Sequence, residues 1–149
     1  MEINNDLSFN CAESVLLQVN KEILIPNFNE SSMRIASLLG GGISGTGETC
    51  GALSGGIMCL GLVDGTTGSE TYNEFREKRK VNRERTKTFI QAFIDSWGSL
   101  RCSELLAMDR GELGPMGSKR NGSSIGRARC GEYIQWSIDW ITNYLQQKQ

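Results

Sequence analysis

The sequence predicts an all-α fold, a compact bundle of about five helices with a glycine-rich loop before a central buried helix. Three observations carry this. Apolar residues recur at three- and four-residue intervals in several segments, as on one face of a helix. No segment shows the apolar–polar alternation of a half-buried strand. Much of the glycine gathers between the periodic segments, where it breaks regular structure. Residues 1–149 read as a single domain, long enough to bury a core without disulfide staples.

The first helix is expected from about Phe9 to Leu24, with Cys11, Val15, Leu16, Val19 and Ile23 on its apolar side. Ser8 or Asn10 can cap it, and Pro26 ends it. A shorter helix follows, with Ser31 or Ser32 as cap and Met33, Ile35, Ala36, Leu38 and Leu39 as its apolar content. The run Gly40 to Gly51 is too rich in glycine for regular structure. Ala52 to Val63 is almost all apolar or small and reads as a helix buried on most sides. Gly51, Gly55 and Gly56 lower its helix propensity by about 1 kcal/mol each. A cost of that kind is offset where glycine lets another backbone pack close.

Residues 69–97 predict a long charged helix, with Ser69 as cap and Gly98 as stop. Phe89, Ile90, Phe93, Ile94 and Trp97 form an apolar stripe in its second half; the first half keeps only Tyr72 and Phe75. Cys102 to Met108 reads as a short helical turn. Residues 109–128, with Gly111, Gly114, Gly117, Gly122, Gly126 and Pro115, read as a loop. The last helix, Gly131 to Gln146, carries Tyr133, Ile134, Ser137, Ile138, Ile141 and Leu145 on one side.

Composition narrows the chemistry. The formal net charge of -1 argues against bulk electrostatic binding to nucleic acid or to a membrane surface. No run approaches the ~20 apolar residues of a membrane span. Met1 to Asp6 lacks the basic-then-apolar start of a signal peptide, so a cytoplasmic setting with reduced thiols is expected. The chain has no histidine, which excludes Ser-His-Asp and Cys-His catalysis, Cys2His2 zinc and His-ligated haem. Thiolates and carboxylates are left to carry any reaction.

Four of the five cysteines stand where a helix is expected to begin: Cys11, Cys50, Cys102 and Cys130. The first turn of a helix offers unpaired N–H groups and the positive end of its dipole, which favour a thiolate over a thiol. Cys59 lies mid-helix between Met58 and Leu60 and reads as a small core hydrophobe. Spacings of 39, 52 and 28 residues between the four differ from the C-x-x-C pairs of zinc ribbons and bacterial ferredoxins. A joint site must therefore be assembled by folding, with each helix contributing one sulfur.

Other motifs are weaker. Gly40, Gly42 and Gly45 match G-x-G-x-x-G, but that nucleotide signature needs a preceding strand, and Ser32 to Leu39 looks helical. A Walker loop needs Gly-Lys-Ser/Thr where this chain has Gly47-Glu48-Thr49. The glycines are instead expected to let the chain pass close to Cys50. The basic run Arg76, Lys78, Arg79, Lys80, Arg83, Arg85 and Lys87, interleaved with Glu74, Glu77 and Glu84, reads as a solvated helix face. Trp97, Trp136 and Trp140 read as core aromatics.

Asn10-Cys11-Ala12, the approach Gly40 to Gly55 with Cys50-Gly51-Ala52 at its centre, Cys102-Ser103-Glu104-Leu105-Leu106 and Cys130 together resemble the C_GCAxxG_C_C family of redox-active proteins. The likeness covers nearly the whole chain; Cys59 lies outside its motif. It implies a redox role for Cys11, Cys50, Cys102 and Cys130.

Four thiolates complete either a [2Fe–2S] or a [4Fe–4S] cluster, so an iron–sulfur site for electron transfer or redox sensing is the first expectation. Arg101 and Arg129, each beside one of the four, add positive charge there. A metal-free dithiol/disulfide oxidoreductase is the second, with Cys50 as nucleophile and Cys11 as its partner. A structural Zn(Cys)4 interaction module is the third. A redox partner protein is expected, and a homo-oligomer stays open.

Overall fold

The computed structural model describes residues 1–120 and 128–148. Among these are six helices: α1 (Cys11–Ile23), α2 (Glu30–Ala36), α3 (Gly51–Asp64), α4 (Tyr72–Trp97), α5 (Cys102–Asp109) and α6 (Cys130–Lys148). The sixth helix, beyond the expected five, is α5, a full helix where the sequence suggests a turn. The described residues contain no named strand, and their one bridge-type pairing joins Thr49 to Arg101. None of the described helices is long and apolar enough to cross a membrane.

The starts of α1, α2 and α4 are set by reciprocal caps. Asn10 Oδ1 accepts the Glu13 N–H at 2.9 Å while Glu13 Oε1 accepts the Asn10 N–H at 2.9 Å. The same box joins Asn29 to Ser32 at α2 and Thr71 to Glu74 at α4. The caps of α2 and α4 are thus Asn29 and Thr71 rather than Ser31, Ser32 or Ser69. In each case the true cap has its partner three residues on. Leu24 closes α1 and Gly98 closes α4, both in the left-handed region.

Helices α1, α3 and α6 pack on one another, and α4 packs on α3. The core joins Ala12, Val15, Leu16 and Val19 to Ala52, Leu53, Cys59 and Leu60, then to Phe89, Phe93, Tyr133, Ile138, Ile141 and Leu145. Close approach is built from glycine. A Cβ on Gly55 would lie 2.7 Å from the Ala12 carbonyl oxygen, and one on Gly56 would lie 2.5 Å from Phe89. The propensity lost at these positions is offset by close contact of α3 with the α1 backbone at Gly55 and with the Phe89 ring of α4 at Gly56.

An aromatic stack locks α4 to α6. Phe89 lies 4.9 Å from Trp140, Phe93 5.4 Å from Trp136 and Trp97 4.9 Å from Tyr133, ring centre to ring centre. The first half of α4 stands largely exposed. Asn82 donates to the Asp64 carbonyl at 2.7 Å and Arg85 pairs with the Asp64 carboxylate, which tie α4 to the end of α3. Residues 110–120 run as turns and bends. The remainder of the loop expected over 109–128 lies, for residues 121–127, outside the described residues.

Candidate redox site

Cys11, Cys102 and Cys130 are the first residues of α1, α5 and α6, and Cys50 is the N-cap of α3. Local chemistry fixes each one. Asn10 caps α1 immediately before Cys11, and its Nδ2 donates to the carbonyls of Ala36 (3.1 Å) and Ser37 (3.3 Å) at the end of α2. One side chain thereby orients Cys11 and anchors the start of the glycine segment.

That segment is wound in an uncommon way. Gly41, Gly42, Ile43, Ser44 and Gly45 all take positive φ, from +49° to +76°. Left-handed residues normally occur singly, at roughly 1–2 kcal/mol each when they carry a Cβ. Here only Ile43 and Ser44 bear that cost. Backbone bonds from Ser44 to Leu38 (2.9 Å), Gly45 to Gly40 (3.0 Å) and Glu48 to Gly42 (2.9 Å) hold the coil, and the Thr46 hydroxyl donates to the Gly42 carbonyl at 2.7 Å. Gly42 is thereby pressed against α5: a Cβ on it would lie 2.7 Å from the Cys102 Cβ. The glycine run thus comes close to Asn10, 2.5 Å from a Cβ on Gly40, and to Cys102, besides leading into Cys50.

Cys50 and Cys102 are joined by backbone. The Cys50 N–H donates to the Leu100 carbonyl at 2.8 Å and the Cys102 N–H to the Glu48 carbonyl at 2.6 Å, on either side of the Thr49–Arg101 bridge. Cys11 and Cys50 meet through Gly51, where an added Cβ would fall 2.9 Å from the Cys11 Cβ. Cys130 enters from α6, and of the other three cysteines it has the largest influence on the Cys11 thiol.

The ionisation of these thiols shows the arrangement electrically. The hydrogen bond from Cys11 pulls Cys130 down to about 7, against burial and the Asp109 charge. The same bond, then burial and the like charges of Cys130, Cys50 and Cys102, push Cys11 well up. Burial pushes Cys50 up to about 11, although the N–H groups of Ala52 and Leu53 favour its thiolate without forming a full cap. Burial and the charges of Cys130 and Asp109 raise Cys102. Four sulfurs therefore act on one another as one electrostatic group. Cys59, fully buried in α3, is raised to about 12 by burial and has no part in it.

Cys130 influences the Cys11 thiol most, with Cys50, the partner expected from chain position, acting on it as well; Cys50 is buried and harder to ionise. All five cysteines are free thiols. Among the described residues, no three Cys, Asp or Glu side chains close tightly enough on one point to hold a single metal ion. Arg101 lies beside Cys102 and pairs with Glu48 at 3.4 Å; Arg129 lies beside Cys130 and pairs with Glu132 at 2.6 Å.

Sequence reasoning misses Asp109. Its carboxylate is wholly buried and accepts from Arg120, Tyr133 and the Arg129 N–H. Those partners stand 11 to 24 residues away, so no local pattern announces them.

No curated protein and no solved structure matches the chain. Residues 9–144 match the family model described as "Putative redox-active protein (C_GCAxxG_C_C)". The match takes in all four helix-start cysteines, and the chain belongs to the C_GCAxxG_C_C family.

Proposed function

We propose that the chain is a redox protein that holds an iron–sulfur cluster on Cys11, Cys50, Cys102 and Cys130 and serves in electron transfer or redox sensing. One observation carries this reading: four cysteines that open four separate helices act on one another's charge, while the fifth stands apart. The donor set fits such a group. Each thiolate makes the next harder to form, and a cationic iron core offsets that repulsion, as do the helix starts. The cluster, when bound, supplies one-electron transfer.

The chain lacks the paired C-x-x-C ligands usual for zinc, which sets a structural zinc site behind the cluster. Free thiols suit a reducing compartment such as the cytoplasm, and a protein partner would give or take the electron.

The Cys11–Cys130 hydrogen bond favours a second reading, a metal-free dithiol exchange. In it, the Cys130 thiolate attacks a partner's disulfide and releases one partner thiolate. Cys11 then displaces the second, leaving a Cys11–Cys130 disulfide and a reduced partner dithiol, a transfer of two electrons.

Purification without oxygen, with a visible spectrum and iron, sulfide and zinc analysis, separates the readings. Broad brown absorption with iron and sulfide supports the cluster. A colourless, metal-free protein overturns it and leaves the dithiol exchange; stoichiometric zinc alone would replace both with a structural zinc site.

A further inference from the structure

Asp109 ends α5 with a carboxylate that has no contact with solvent. Arg120 Nη1 donates to it at 2.5 Å, the Tyr133 hydroxyl at 2.5 Å and the Arg129 backbone N–H at 3.0 Å. A buried ion pair of this kind is a weak source of stability, because desolvation consumes most of the attraction. Its contribution is geometric. Arg129 directly precedes Cys130, and Tyr133 stands three residues beyond it. One carboxylate thus fixes the chain on both sides of the cysteine.

The surroundings make that anchor stiff. Arg120 Nε donates to the Trp97 carbonyl at 2.9 Å, so the end of α4 joins the cluster. The Arg120 guanidinium lies 5.7 Å from the Trp97 ring and 5.3 Å from the Tyr133 ring, and that of Arg129 lies 5.2 Å from Trp97. Helix α5 therefore has Cys102 at one end and the anchor of Cys130 at the other.

We propose that Asp109 is a positioning residue of the redox site: through the Arg129 N–H and the Tyr133 hydroxyl it sets where Cys130 stands relative to Cys11. The proposal deepens the four-cysteine reading and rests on it only in taking Cys130 as a working member. Asp109 acts through the backbone ahead of Cys130 and through the first turn of α6.

The test uses the full, metal-free, reduced chain in glutathione buffers. Cys11 and Cys130 give up two electrons and two protons to form their disulfide, and one glutathione disulfide becomes two glutathione thiols. Mass mapping of the bridge gives the equilibrium constant. Asp109→Asn is expected to lower it by about tenfold, and Tyr133→Phe by about threefold. Glu112→Gln, which alters a surface acid paired with Arg110 near the same helix end, leaves it unchanged.

A merely structural role would lower the melting temperature of both redox forms and leave the constant where it was. An unchanged constant in Asp109→Asn, with its helices intact by circular dichroism, overturns the proposal. Should Asp109→Asn fail to fold, an unchanged constant in Tyr133→Phe overturns it equally. No bridge in the wild type overturns the Cys11–Cys130 pairing and this proposal together. Iron and sulfide analysis of the protein purified without oxygen, before any metal is removed, judges the cluster reading separately.

Discussion

Gly51 sits so close to Cys11 that a Cβ built on it would lie 2.9 Å from the cysteine's own Cβ. The first turns of α1 and α3 can therefore share a site only while residue 51 has no side chain. Gly51→Ala is expected to cost about 1–3 kcal/mol by overpacking and to lower iron occupancy. Gly55→Ala, against the Ala12 backbone, costs a similar amount. Gly61→Ala meets nothing within 4 Å and is expected to stabilise α3 by about 0.5–1 kcal/mol. Urea unfolding of the three variants reads these opposite signs.

Asn10 couples a helix cap to the end of α2. Asn10→Ala loses the cap and both carbonyl contacts, a cost of about 2–3 kcal/mol. Asn10→Asp keeps the capping oxygen but not the Nδ2 donor, so its urea midpoint should fall between wild type and Asn10→Ala.

The left-handed run makes separable predictions. Gly45 has φ +76° and open space around it, so Gly45→Ala meets only backbone strain, about 1–2 kcal/mol. Gly42→Ala adds collisions with Glu48 and Cys102 to the same strain. It should destabilise more and also reduce iron binding, which Gly45→Ala should leave largely intact. Thermal melts paired with iron analysis test this.

The metal-free protein should lose stability in alkali. Burial raises Cys50 to about 11 and Cys59 to about 12, above the ordinary thiol value of 9.0. The unfolded chain then releases protons first as pH rises, so stability present below about 9 is lost towards 11–12, by at most about 1.4 kcal/mol per pH unit per thiol. Cys130, lowered to about 7, works in the opposite sense between 7 and 9. Urea midpoints measured from pH 7 to 11 should therefore fall at the upper end, and Cys59→Ala should flatten that fall.

Much of this architecture is legible in the chain because its signals are local. An apolar period marks the helix that follows each of Cys11, Cys50, Cys102 and Cys130, and Asn10 caps the one at Cys11. The cost of Gly55 and Gly56 in a helix announces a close neighbour without naming Ala12 or Phe89. The positive φ of Ile43 and Ser44 is hidden, since neither residue favours it and N–H bonds to the carbonyls of Leu38, Gly40 and Gly42 impose it. Asp109 is hidden for another reason. An acid at a helix end is ordinary until folding brings Arg120, Arg129 and Tyr133 onto it.

The proposed site takes four cysteines, and not five. Iron and acid-labile sulfide, measured after anaerobic reconstitution of the wild type and each Cys→Ala variant, decide this. A brown wild type is expected, with iron and sulfide retained in Cys59→Ala and lost in the variants of Cys11, Cys50, Cys102 and Cys130. A colourless wild type, or full loading after removal of any one of the four, would contradict it.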